Sequence, residues 1–158
     1  MFGVSAYGAE MTKSAAADTG NRVGVGVAFS GGPGVSVYAD AGYQNFVQGA
    51  IGFAPLGSYA VTGDYAFGYR NAVSNLPSLT PYWGLGAVML HDQSNQWPRY
   101  AREENTSTTY VGARMPLGLN FVIPKTPVQL GAELAPTLLL TPRTYSYLQG
   151  GVSARVLF

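Results

Sequence analysis

The stretch that decides the fold is Leu148-Gln-Gly-Gly-Val-Ser-Ala-Arg-Val-Leu-Phe158. Side chains on a strand alternate between its two faces. One face here carries Leu148, Gly150, Val152, Ala154, Val156 and Phe158, and the other carries Gln149, Gly151, Ser153, Arg155 and Leu157. The charge falls on the face of small and polar residues, opposite the aliphatic one. An aromatic strand end beside alternating aliphatics suits a barrel whose outside meets lipid, where aromatics sit at the membrane interface. The expectation is a wall with a greasy outside and a polar inside.

Composition agrees with that expectation. Charged residues make up 11% of the 158, against roughly 25% in ordinary soluble domains. Glycine (21) and tyrosine (11) are numerous, as expected where strands pack closely and aromatics form interfacial belts. A net charge of +1 with scattered Lys and Arg gives no basic footprint for nucleic acid. With no cysteine, thiolate chemistry and disulfide staples are excluded. No apolar run reaches the 18 or so residues of a membrane helix, so a chain of this kind spans a bilayer only as a closed barrel with every backbone group paired internally.

Period-two alternation bounded by Gly, Pro and Asn punctuation marks eight strands over residues 22–158: Arg22–Ser30, Val35–Gly42, Asn45–Ala54, Ser58–Tyr69, Pro81–His91, Thr108–Val122, Val128–Leu140 and Leu148–Phe158. The connections are too short for crossover helices, so the order is an all-β antiparallel up-and-down meander. Gly31–Gly34 and Pro124–Pro127 are expected to be tight turns, Arg70–Thr80 a loop, 92–107 the longest and most polar connection, and 141–146 a short loop. Pro116 and Pro136 fall inside strand patterns, where a bulge or a weakened ladder is expected. Residues 1–21 form a separate N-terminal tail. Its small, mildly apolar start is expected to be the remnant of a secretory signal peptide with a cleavage region near Ala6–Ala9, or else a short ordered segment before the first strand.

Five charged residues lie well inside the strands: Asp40, Asp64, Arg114, Glu133 and Arg155. All five take the Gly/Ser/Gln face. An eight-stranded barrel has an interior just wide enough to be filled by side chains, and a buried charge is tolerable only when paired. The expected arrangement is a core network in which Arg114 and Arg155 bridge Asp40, Asp64 and Glu133, while Tyr38, Gln48, Gln129 and Asn120 satisfy the remaining groups. The outward aliphatic face would then far exceed the apolar patches soluble monomers show. A soluble carrier of lipocalin type, turned the other way, would need an outer face rich in Lys and Glu, and none is available.

The closing segment resembles the last strand of Gram-negative outer-membrane barrels, which end on Phe with apolar residues at every second position; Val156, Ala154 and Val152 match, with Val156 standing where an aromatic is usual. The whole arrangement resembles the small OmpA-type transmembrane barrels. Val111-Gly-Ala-Arg-Met-Pro-Leu-Gly-Leu-Asn-Phe121, Pro127-Val-Gln-Leu-Gly-Ala-Glu-Leu-Ala-Pro-Thr-Leu138 and Gly150-Gly-Val-Ser-Ala-Arg155 are similar to a family of small surface barrels of spirochaetes and proteobacteria. That family often has an inward Arg on the fifth strand, where this chain has Val88. The resemblance implies an eight-stranded barrel in the bacterial outer membrane, with termini on the periplasmic side, and no defined chemistry.

A search for chemistry yields little. His91 is the only histidine, so no multi-histidine metal site exists. A His/Ser pair of the kind lipid A deacylases carry on their outer wall would share a strand face two residues apart, whereas Ser94 is three residues from His91; a polar residue at the headgroup boundary is the expectation. Glu103-Glu104 share one loop with no fixed separation for a glycosidase pair. Gly31-Gly-Pro-Gly34 lacks the Lys and Ser/Thr of a phosphate loop. Trp97, Arg99 and Tyr100 form a candidate recognition patch, since aromatics and Arg anchor interfaces. The functional expectation is a monomeric, non-enzymatic outer-membrane barrel with a plugged polar interior and no metal or cofactor. Its partners would be outer-membrane lipids and an extracellular protein or surface ligand met by the loops. A lipid-modifying enzyme, a narrow pore and a soluble lipocalin-like carrier are the alternatives.

Overall fold

A computed structural model describes residues 22–30, 32–42, 44–53, 58–92 and 108–158. The N-terminal tail, residues 1–21, lies outside the described residues. The described chain is all-β, with nine strand segments: β1 (Val23–Phe29), β2 (Pro33–Asp40), β3 (Asn45–Phe53), β4 (Tyr59–Gly68), β5 (Leu79–Asp92), β6 (Thr108–Arg114), β7 (Leu117–Val122), β8 (Val128–Thr141) and β9 (Tyr145–Leu157). Each is antiparallel to its neighbours. Pairing of β1 with β9 and of β4 with β5 closes the sheet on itself.

The nine segments make eight staves, because β6 and β7 both pair with β5 on one side and β8 on the other. The break between them has a simple cause. The Gly84 N–H donates to the Pro116 carbonyl at 2.8 Å, and the Met115 N–H donates to the Pro136 carbonyl at 3.0 Å. The reciprocal bonds of those two pairs would need N–H groups that proline lacks. Two missing bonds therefore weaken one stave while the register runs through unchanged. The expected weakening is observed at these prolines, and the single register shift among the described pairs lies elsewhere, between Val111 and Gly112.

Some expected boundaries move. Pro33 and Gly34 belong to β2, so the first turn is tighter than Gly31–Gly34; Phe29 already pairs with Pro33. The last connection spans only 142–144, because β9 begins at Tyr145. The 70–80 loop ends two residues early, at the start of β5. Of the long 92–107 connection, Asp92 belongs to β5 and 93–107 lie outside the described residues.

The pairings set the barrel's shape. Opposite residues followed once around the ring, from Val25 through Val37, Gly49, Gly63, Ala87, Ala113, Leu138 and Ser146, return to the line of β1 ten residues beyond the start. With a rise of about 3.3 Å per residue and strands about 4.8 Å apart, that stagger over eight staves tilts the strands by roughly 40°. A barrel of this number and tilt has an interior just wide enough for side chains to fill.

Side-chain parity then sorts the residues. Val25, Val27, Phe29, Val35, Ile51, Leu85, Leu117, Leu119, Leu134, Leu148 and Val152 all point outward and are between 43% and 65% exposed. From Leu148 to Phe158 the outward positions span about 25 Å along the axis at this tilt. Rings gather at both edges of the band. At the termini end, where Val23 pairs with Phe158, Tyr65 meets Phe67 edge-on at 5.2 Å and Phe67 stacks on Trp83 at 4.8 Å. Asn45 Nδ2 donates to the Tyr65 hydroxyl at 3.0 Å, and Trp83 Nε1 to the Tyr69 hydroxyl at 3.0 Å. At the opposite, far end Tyr59 packs on His91 at 5.1 Å, beside exposed Phe29 and Phe53.

Candidate functional site

The site that the fold builds is the barrel interior, which reads as layers along the axis. β4 supplies an inward column through all of them: Gly68 and Ala66 near the termini, then Asp64, then Thr62 and Ala60 towards the far end.

The middle layer is ionic. Arg114, on β6, reaches Asp64 across β5: its Nε lies 3.1 Å from Asp64 Oδ1, and its other arm pairs with Glu133 of β8. The Arg114 and Asp64 side chains are 1% and 2% exposed and that of Glu133 is 18% exposed. Gln48 Nε2 donates to Glu133 Oε2 at 2.8 Å and to Asp64 Oδ2 at 3.3 Å, and the Tyr82 hydroxyl donates to Glu133 Oε2 at 2.9 Å. Gln149 accepts from Arg114 at 3.1 Å. Two glycines make room: a Cβ on Gly86 would collide with Asp64, and one on Gly118 would stand 2.5 Å from the Tyr82 ring.

Arg155 completes the layer in a way the parity pattern did not reveal. Neutral groups hold its guanidinium: Ser36 Oγ at 2.7 Å, Gln129 Oε1 at 3.2 Å and Gln48 Oε1 at 3.2 Å, with the Tyr38 ring 5.7 Å below. Gln48 thus joins Arg155 to the carboxylates indirectly. Asp40, expected in the same cluster, stands apart at the termini mouth, where Arg70 pairs with it at 3.0 Å and the Tyr38 hydroxyl donates to it at 2.6 Å. The sequence cannot separate the two because parity gives a residue's face and not its height. Asn120 Oδ1, expected to satisfy the network, is buried with no hydrogen-bond partner.

Below the ionic layer, towards the termini, the interior is apolar. Tyr38, Phe46, Ala66, Tyr82 and Leu157 are all less than 10% exposed and pack together, with Val122 against them. Phe46 lies at the centre, its ring 5.0 Å from those of Tyr38 and Tyr82. Above the ionic layer the two sides differ. On the β5–β9 side Val88, Tyr110 and Leu139 are buried and carry Leu90, Tyr145 and Tyr147. On the β1–β4 side only small residues face inward, among them Ala28, Ser30, Ala50, Ala60 and Thr62, and they leave two adjoining cavities of about 30 and 10 Å³. Tyr82, Ser36 and Gln149 were missing from the expected network, and the apolar layer was not foreseen. The one signal for the latter was the breach of inward polarity at Phe46, Val122 and Leu157, all at strand ends near the termini.

Outside the core, His91 is aligned with Thr109, its Nδ1 2.8 Å from Thr109 Oγ1. Trp97, Arg99, Tyr100 and Ser94 lie outside the described residues. No group of three metal-binding side chains occurs among the described residues.

No protein-family model matches this chain, and no curated protein matches it. Among solved structures, the N-terminal β-barrel domain of Pseudomonas aeruginosa OprF aligns with a TM-score of 0.63 at 10% identity, over 87% of this chain and 96% of that one. Neisserial surface protein A aligns with a TM-score of 0.45 at 13% identity, over 87% and 92%. The Yersinia pestis outer membrane protein Ail, solved in a phospholipid bilayer nanodisc, aligns with a TM-score of 0.46 at 13% identity, over 87% and 98%. The first alignment shows that the chain shares its barrel fold, which is the fold expected from the alternation.

Proposed function

We propose that this protein is an integral barrel of the bacterial outer membrane, with a plugged interior and a structural or surface-interaction role carried by its loops. The observation that carries the reading is the outer wall, a largely aliphatic band about 25 Å tall at the strand tilt with no charged side chain among its described residues, edged by aromatics at both ends, with Arg114, Asp64 and Arg155 turned inward and buried. Hydrocarbon is the solvent that suits such a wall, and a closed ring leaves no unpaired strand edge in it. The OprF barrel fold supports the same reading by analogy of fold.

In this reading the termini and the turns at 41–44, 69–78 and 123–127 face the periplasm. The segment joining Asp92 to Thr108, with Trp97, Arg99 and Tyr100, and the 142–144 turn face outward. His91 sits at the headgroup boundary, bonded to Thr109 and stacked on Tyr59, and serves as an interfacial anchor rather than a catalyst. Lipid is the partner of the wall; a protein or surface ligand is the partner of the loops.

Cell fractionation tests the location. The protein is expected in the outer-membrane fraction, running on gels with a heat-dependent mobility; recovery in the soluble fraction would replace the reading with that of a secreted carrier. Val152→Arg puts a charge in the band and is expected to cost about 2–4 kcal/mol of folding stability in bilayers.

A further inference from the structure

The outer wall is grooved along the barrel axis. With strands tilted by roughly 40°, one strand across and two residues towards the far end is a step of about 8 Å almost straight along that axis. Leu119 faces Ala132, Leu134 faces Gly150 and Ala132 faces Val152 across neighbouring strands, so the outward residues fall into upright columns. Leu119, Leu134 and Leu148 form one ridge; Leu130 and Val152, with Phe29 beside them, form another. The column between is Ala132 and Gly150, whose small size leaves a groove of about 540 Å³. Its flanks are apolar and prominent, with Leu134, Val152 and Phe29 exposed by 55%, 59% and 58%. In a bilayer such a groove runs in the direction of the lipid chains.

The head of the groove is polar. The next step up the Ala132–Gly150 column would fall on β1, but β1 has already turned back, since Phe29 pairs with Pro33. Among the described residues the ladder between β9 and β1 ends at Val152, whereas β9 stays paired with β8 as far as Tyr145. The Phe158 N–H donates to β1 and the Leu157 N–H to Pro127 on the β8 side. By alternation the N–H and C=O of Leu148 and Ser146 face the side that β1 has left. Both residues are exposed. Leu148 stands at the upper limit of the band of about 25 Å, the level at which hydrocarbon gives way to the polar interface.

We infer that this groove is a binding site for one bilayer lipid. An acyl chain lies between the two ridges over Ala132 and Gly150, and its ester carbonyl accepts a hydrogen bond from the edge N–H of Leu148 or Ser146. A second copy of the chain does not fit that edge. Two barrels inserted the same way are related by an axis along the membrane normal. Their β9 edges would cross at roughly 80°, against about 20–25° between neighbouring strands of a sheet. The inference rests on the membrane-barrel reading and names a lipid position within it.

The test uses the full chain in nanodiscs made of equal parts ester-linked dimyristoyl phosphatidylcholine and its ether-linked ditetradecyl analogue, which has the same chains and headgroup without the carbonyls. Native mass spectrometry identifies the lipid that stays with the barrel when the nanodisc is dispersed. One retained lipid is expected, with the ester form enriched roughly fivefold, the value of one hydrogen bond. Gly150→Leu fills the floor, where a Cβ would meet only Leu134 Cδ2 at 3.5 Å, and is expected to abolish retention. Ala87→Leu, at an exposed outward position on β5, is expected to leave it unchanged. Should Gly150→Leu lose its heat-dependent gel mobility and so prove unfolded, Ala132→Leu takes its place. Three results overturn the inference: no lipid retained by the native chain, retention unchanged when the floor is filled, or equal retention of ester and ether forms. A lipid-free dimer that Gly150→Leu dissolves would assign the face to a second copy and overturn it too. Failure to enter nanodiscs at all is a separate result, and overturns the membrane reading instead.

Discussion

The two halves of the barrel interior share one wall, one strand tilt and one inward parity, yet they are filled by opposite means. The half nearer the termini is closed by the Tyr38, Phe46 and Tyr82 rings and Leu157, whereas the far half of the β1–β4 side carries Ala28, Ala50, Ala60 and Thr62 and keeps cavities. The difference teaches that in a narrow barrel the level at which large inward side chains sit decides whether it is a rod or a cup. Barrel geometry alone leaves both options open, because eight staves give just enough room for side chains to fill the bore. Between the halves, the ionic layer touches both: Tyr82 belongs to the apolar layer by its ring and to the network by its hydroxyl bond to Glu133.

Stability measurements can break this contrast. Arg114→Ala is expected to have the largest effect, about 3–5 kcal/mol, because it strands Asp64 and Glu133 in the core without their cation; urea unfolding in lipid vesicles reads it. A loss below about 1 kcal/mol would mean that bulk solvent screens the layer from both sides. Next comes Phe46→Ala, with about 3 kcal/mol from a ring-sized void in the sealed half, measured by the same titration. Thr62→Val, on the far half of the β4 column, is expected to shift stability by about 1 kcal/mol or less, since it removes only a long 3.5 Å bond to the Ala50 carbonyl. Equal losses for Phe46→Ala and Thr62→Val would erase the distinction between cup and seal.

Much of this was legible before any coordinates. Alternation placed Val152 outside and Arg155 inside, and it did the same for all five inward charges. The two prolines marked the weakened stave, because a missing N–H is a property of the residue itself. The partnerships were less legible. Asp40 and Asp64 share a parity, and nothing local says that one meets Arg70 at the mouth while the other meets Arg114 at mid-height. That separation follows from the ten-residue stagger, which brings together positions that look unrelated along the chain: Gln48 and Glu133 touch at 2.8 Å although 85 residues apart. Arg155 likewise ends among Ser36, Gln48 and Gln129 because its level on β9 faces no carboxylate.

By itself the sequence determined the class of the molecule: strands and not helices, a meander, and a wall whose oily face looks outward. Period two is a local property, and one slip of register would turn every side chain over. The tertiary structure alone decided the levels within the bore. Height depends on strand tilt and on closure between β1 and β9, which are properties of the ring as a whole. Which charges pair and where the rings close the barrel were therefore settled only when the two ends of the sheet met.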